Sequence, residues 1–155
     1  MEQIRKRSEN LKVRGDVFIE VRSPNGVTRK IKIKNLVGNY GTGHMATLLS
    51  GGASTLVQYI ALGTGGTPET VTDTTLGTEL YRKVASVELG VGVDANKVTY
   101  SATWTAGSAQ GTLREAGLFD DPTAGNMFSR TTFADLVIGV ADTLIVTWVV
   151  SFVGT

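Results

Sequence analysis

The sequence predicts an all-β protein, an antiparallel β-sandwich or jelly roll of about eight strands with one short helix. Three observations predict it. Segments in which apolar and polar residues alternate recur along most of the chain, the pattern of strands half-buried on a core. Turn signals separate these segments, and the 155 residues include 19 glycines. Valine and threonine recur throughout while charged residues make up 19%, a mix that suits pleated, half-buried surfaces.

The first element is "KVRGDVFIEVR", with Val13, Val17, Ile19 and Val21 on one side and Arg14, Asp16, Glu20 and Arg22 on the other. "SPNG", Ser23 to Gly26, is a turn, because proline fixes φ and Asn-Gly accepts positive φ. "VTRKIKIK" alternates again, with Ile31 and Ile33 inward and Lys30, Lys32 and Lys34 outward. Together they form a β-hairpin with one wet, mostly basic face. "GTGHMATLLSGG" is the helix: Thr42 is placed to cap it, Met45, Leu48 and Leu49 fall at helical spacing, and Gly51 and Gly52 stop it.

"VQYIALGTG" reads as a short buried strand leaving through a glycine turn. The loop "TGGTPETVTDTT" follows, with a brief helical turn expected at "LGTEL". Gly63, Gly65 and Gly66 lack the trailing Gly-Lys-Ser/Thr of a phosphate loop and the spacing of a dinucleotide fingerprint, so they read as turn glycines. Strands are expected at 81–89, 96–104, 111–119, 126–133 and 142–153. The last places Leu144, Val146, Trp148, Val150 and Phe152 on one face. Its other face, Ile145, Thr147, Val149, Ser151 and Val153, is also largely apolar. A strand apolar on both faces lies central in a sheet or at a subunit interface. Trp104, Trp148, Tyr100 and Phe152 fall in period-2 alternation and are core first.

Residues 1–12 read as a basic arm and 13–155 as a single sandwich domain. Residues 1–34 carry ten Lys and Arg against four acids, a balance of +6, while the remainder holds five basic and ten acidic residues, or −5. A basic front end on an acidic body suggests contact between copies, or docking on an acidic partner. Nucleic-acid binding ranks lower, because the basic stretch has one aromatic, Phe18. No apolar run reaches the roughly 18 residues of a membrane helix, and "MEQIRKRSEN" lacks a signal peptide's apolar stretch. The expectation is a soluble protein, not inserted in a membrane.

Zero cysteines exclude disulfides and thiolate chemistry, and the single histidine, His44, leaves little for a His-based triad or metal site. His44 precedes an apolar helix face and reads as capping or packing. "RGD" at Arg14–Asp16 spells an adhesion tripeptide but lies within an alternating strand.

"TLREAGLFDDPTAGNMFSR" sets Glu115, Asp120 and Asp121 in an apolar, strand-like segment beside two arginines. Alternation puts Leu113, Glu115, Gly117 and Phe119 on one face. A buried Glu115 needs a cation or several backbone amides, and Arg130 or Arg82 is placed to supply the cation. A glycosidase carboxylate pair or a carbohydrate-binding jelly roll is the alternative, but no sugar-stacking aromatic accompanies the acids. "DDPTAGN" lacks EF-hand spacing and reads as a hairpin turn. Arg114, Glu115, Asp120 and Arg130 are therefore expected to be structural polar pins. No catalytic residue, cofactor, metal or small-molecule substrate is expected.

The ordered phrases "VRGDVFIEVRSPNG", "KIKIKNLVGNYGTGHMATLLSGG", "YIALGTGGTPETVTDTTLGTELYRK", "VTYSATWTAGSAQGTLREAGLFD", "NMFSRTTF" and "DTLIVTWVVSFV" resemble tailed-bacteriophage virion proteins. These comprise tail-collar and fibre-attachment domains and small β-sandwich proteins that decorate capsids. The resemblance implies a non-enzymatic structural role in the virion, assembled in the bacterial cytoplasm. Its partners would be copies of itself, as a symmetric trimer, and the major capsid protein or tail proteins. The chain ends with its last strand, with no shaft or tip, which favours a capsid decoration (cement) protein over a tail, collar or baseplate component. On that reading Arg5, Lys6, Arg7, Lys12, Lys30, Lys32 and Lys34 contact the capsid or a neighbouring subunit. Ile145, Val149 and Val153 then form the subunit interface.

Overall fold

The structure, a computed structural model, describes residues 10–154. Its elements run β1 (Leu11–Arg22), β2 (Thr28–Lys34), β3 (Leu36–Val37), α1 (Asn39–Leu49), β4 (Tyr59–Gly63), β5 (Glu79–Val84) and β6 (Ser86–Leu89). A 3-10 turn (Gly92–Asp94) leads to β7 (Lys97–Trp104), β8 (Gly111–Phe119), β9 (Met127–Ile138) and β10 (Thr143–Gly154). They form two five-stranded antiparallel sheets, β2-β1-β10-β7-β6 (sheet A) and β3-β9-β8-β4-β5 (sheet B). The sandwich expected from alternation is therefore present, with ten strands rather than eight.

Alternation fixes which side chains face between the sheets. Val17, Ile19 and Val21 of β1 meet Val146, Trp148 and Val150 of β10 from sheet A; Ile60, Leu62, Leu113 and Leu118 come from sheet B. Burying each such aliphatic stabilises the fold by roughly 1.5–3 kcal/mol. β10 is the central strand of sheet A, paired along its length with β1 and β7. Between these neighbours its inner-face residues Leu144, Val146, Trp148 and Val150 are buried and its outer-face residues Ile145, Val149 and Val153 half-buried.

The β1–β2 hairpin closes at Ser23–Gly26 as expected: the Gly26 amide donates to the Ser23 carbonyl, and Gly26 takes φ +84°. Four details differ from the sequence reading. The segment 81–89 is two strands in different sheets, broken at buried Ala85, whose amide donates to Gln58. β9 extends to Ile138, because buried Leu136 and Ile138 continue the alternation past the assumed end. "LGTEL" forms no helical turn; Glu79 and Leu80 open β5. Finally, β1 begins at Leu11, so Lys12 belongs to the sandwich and not to the arm.

Helix α1 starts three residues before Thr42. The Asn39 amide donates to the Val71 carbonyl, and Thr42 Oγ1 bonds back to the Asn39 carbonyl instead of capping. Gly51, at φ +73°, ends it as expected. Among the described residues no helix is long and apolar enough to cross a membrane.

Candidate functional site

A register shift between Leu113 and Glu115 decides where the acids of β8 point. Leu113 faces the main core with Ala116 and Leu118, whereas Glu115 and Phe119 face the other side of sheet B. The face expected for Leu113, Glu115, Gly117 and Phe119 together is therefore corrected: the bulge flips the alternation at Arg114.

Glu115 is fully buried beneath the loop 64–78, which folds back across the outer face of sheet B. Its Oε1 accepts the amides of Gly65 and Thr78, both at 2.8 Å, and its Oε2 accepts the Gly77 amide at 2.9 Å. Arg130 completes the shell, donating to Oε2 from Nε at 3.0 Å and from Nη2 at 2.8 Å. Arg130 Nη1 donates to Asp73 at 2.9 Å. Burial alone would raise the Glu115 pKa, but the amides of Thr78 and Gly77, with Arg130 and Gly65, outweigh it and hold the carboxyl below its usual range. Glycine is required around this carboxylate: a Cβ on Gly63 or Gly65 would lie 2.6 or 2.5 Å from Oε1. Leu76 from the same loop packs on Phe119, Met127 and Ala61 in a second small core.

Asp120 closes the β8–β9 turn. It accepts from the Asn126 amide at 2.7 Å, Thr55 Oγ1 at 2.7 Å, Tyr40 Oη at 2.8 Å and Asn126 Nδ2 at 3.2 Å. Burial pushes its carboxyl up, and these donors overcome that and bring it to about 2. Asp121 accepts the Thr123 and Ala124 amides within the turn. Arg82, the other cation considered for Glu115, instead pairs with Glu79 and binds the Asp121 and Ala124 carbonyls. Its guanidinium lies 3.7 Å from the Phe119 ring centroid. Arg114 pairs with Asp135 at 2.6 Å in solvent, where water and salt screen the contact.

His44 sits beside Tyr40 and Ser54. Ser54 Oγ is 2.8 Å from Nδ1 and 3.3 Å from Nε2 of the same ring. An oxygen that close to both nitrogens lies over the ring face, off the lone-pair axis of each. Ser54 and His44 are therefore not arranged as nucleophile and base. Among the described residues no three His, Asp or Glu side chains converge on a common point for a metal.

The outer face of sheet A differs in kind. Cross-strand register sets Lys34, Lys32 and Lys30 of β2 opposite Asp16, Phe18 and Glu20 of β1. These in turn lie opposite Val149, Thr147 and Ile145 of β10. Lys12 and Arg14 extend the same face, beside Val153 and Ser151. Lys34 and Lys32 reach Asp16, and Lys32 stands 5.2 Å from the Phe18 ring centroid. Phe18 is 40% exposed. Two shallow depressions on this face are lined, among the described residues, only by sheet A and its β6–β7 turn. The structure thus brings Lys12, Lys30, Lys32 and Lys34 onto one face with Ile145, Val149 and Val153. Arg5, Lys6 and Arg7 lie outside the described residues.

Sequence reasoning offered Arg130 or Arg82 as the partner of Glu115, of which the structure has Arg130, and it missed Asp73, Tyr40 and Thr55. Only the glycines of "GTGG" carried a signal, since small residues are what a buried carboxylate needs beside it. Comparison with protein-family models, curated proteins and solved structures finds no match.

Proposed function

We propose that this protein is a structural component of a tailed-phage virion, a capsid decoration protein that docks through the outer face of sheet A. The observation that carries the reading is that no described residue covers this face, while the equivalent face of sheet B is roofed by its own loop. Basic residues surround apolar ones there: Lys12, Arg14, Lys30 and Lys32 flank Phe18, Ile145 and Val149. A flat, lysine-rich surface with an apolar centre suits an acidic protein surface, which long-range attraction steers and apolar burial then holds. Subunits added to a shell stabilise it by their binding free energy. The buried carboxylates support a scaffold role, because Glu115 and Asp120 spend their lone pairs on amides, hydroxyls and Arg130. The choice of particle rests on the resemblance of the chain's phrases to those of phage virion proteins.

Cryo-electron microscopy of the parent virion tests this. The expected result is density for the sandwich on the head, with the β1–β2 hairpin toward the shell. Density on the tail would replace the decoration role with that of a collar or baseplate component. Absence from purified particles would overturn the proposal.

A further inference from the structure

A sandwich of two open sheets has four edges, and three of them are guarded here. β2 carries Lys30, Lys32 and Lys34, β3 is two residues long, and β5 carries Glu79, Arg82 and Lys83. Charge and shortness are the ordinary protections against strand-to-strand association. β6 is also short, at four residues, but it has neither a basic residue nor a proline; its sequence is "SVEL", and Glu88 is its one charge.

The surroundings of β6 are as apolar as its sequence. Pairing with β7 sets Val87 opposite Tyr100 and Leu89 opposite Val98, so both point to the inner side of sheet A. There a groove of Val98, Tyr100, Val150 and Phe152 lies open beside Val87, with Leu48 and Leu56 on its other wall. Leu56 and Leu89 are 72% and 71% exposed, and Val91, just past β6, is 82% exposed. Residues 44–57, which build the far wall, contain no Lys, Arg, Asp or Glu. Contiguous aliphatic exposure of this kind marks an interaction site.

The backbone adds direction. The Gly90 amide donates to Lys97 on β7. Alternation along an antiparallel pair then turns the N–H and C=O groups of Leu89 and Val87 outward, to the open edge.

We infer that β6 is the association edge for a second copy of this chain, the two strands pairing antiparallel about a two-fold axis at Leu89. A strand edge is self-complementary under such an axis, since each copy offers donors and acceptors to the other; the Val91 carbonyl also accepts the Asp94 amide, at 3.1 Å, within its own chain. With Leu89 facing its symmetry mate, Val87 meets Val91 of the other copy. Glu88 meets Gly90, which keeps the two carboxylates apart. Val91 is already extended, at φ −124° and ψ 158°. An axis perpendicular to the sheet holds both grooves on the same side, so the aliphatic walls at Leu48 and Leu56 approach one another. A charged partner would find little on this edge to steer it, whereas a formal net charge of +1 opposes self-association only weakly. The contact borders the outer-face depression at Glu88–Val91 but leaves the lysine-bearing β1–β2 part of that face free, and it does not depend on the particle-docking reading.

Sedimentation of the purified full chain, with and without Leu89→Lys, tests the pairing. The expected wild-type species is a dimer, and the variant should raise its dissociation constant by at least about 10-fold, because two lysines would face each other on the axis. The chain has no cysteine, so Leu89→Cys provides a second, independent readout: oxidation should give a covalent dimer, while Lys32→Cys on the opposite edge should not. A monomer at all attainable concentrations, a trimer, or a dimer in which Leu89→Cys fails to cross-link would overturn the inference.

Discussion

The outer faces of the two sheets have been finished in opposite ways. On sheet B the chain returns over the strands through the loop 64–78, and Glu115 and Arg130 bind that loop from beneath. On sheet A the corresponding surface carries lysines and half-buried aliphatics and receives no cover from the described residues. The contrast separates two uses of charge. Charges under the loop are desolvated and fully hydrogen-bonded, so they specify the fold; charges on sheet A remain hydrated and available to a partner.

The largest effect that can break this comparison is Glu115→Ala. It removes the acceptor for three loop amides and strands Arg130, which is 4% exposed, beside Asp73 alone. Loss of one partner of a buried ion pair costs about 3–5 kcal/mol. Urea unfolding should register that loss, and hydrogen exchange should show the amides of 65, 77 and 78 deprotected. A variant as stable as the parent would mean that the loop is held by something else.

Asp120→Asn comes next. The Asp120 carboxyl lies at about 2 in the folded protein against an ordinary 3.8, a difference of roughly 2 kcal/mol. Because the folded value is depressed, the contribution is fully present above pH 4 and is lost as pH falls from about 4 toward 2. The parent should therefore lose stability through that window, and Asp120→Asn should flatten the loss. An unchanged acid profile would count against the Tyr40–Thr55–Asn126 shell.

The smallest effect on stability belongs to sheet A. Joint replacement of Lys30, Lys32 and Lys34 by glutamate should move stability by no more than about 0.5 kcal/mol per site. The same change should abolish attachment to particles, and wild-type attachment should weaken with added salt. Stability and attachment falling together would erase the distinction between the two faces.

How much of this was legible beforehand follows from the reach of each interaction. The β1–β2 hairpin and the central place of β10 are set by alternation within a dozen residues, and the sequence displays both. Arg130 was legible only as one of two candidates, with Arg82, because a buried Glu115 demands a cation. The sheet change at Ala85 was not, since alternation passes through it without a turn residue. Nor was the flip at Arg114, where one bulge reverses the faces of Leu113 and Glu115. The amides of Gly65, Gly77 and Thr78 lie 37 to 50 residues from Glu115. No local pattern announces a contact over that distance.

The central claim, that the uncovered face of sheet A is the working surface, is tested most directly by lysine acetylation of the protein on purified particles and free in solution. The account predicts protection of Lys30, Lys32 and Lys34 on the particle, with Lys83 of β5 reacting equally in both states. Protection at Lys83 with β2 unprotected would contradict it.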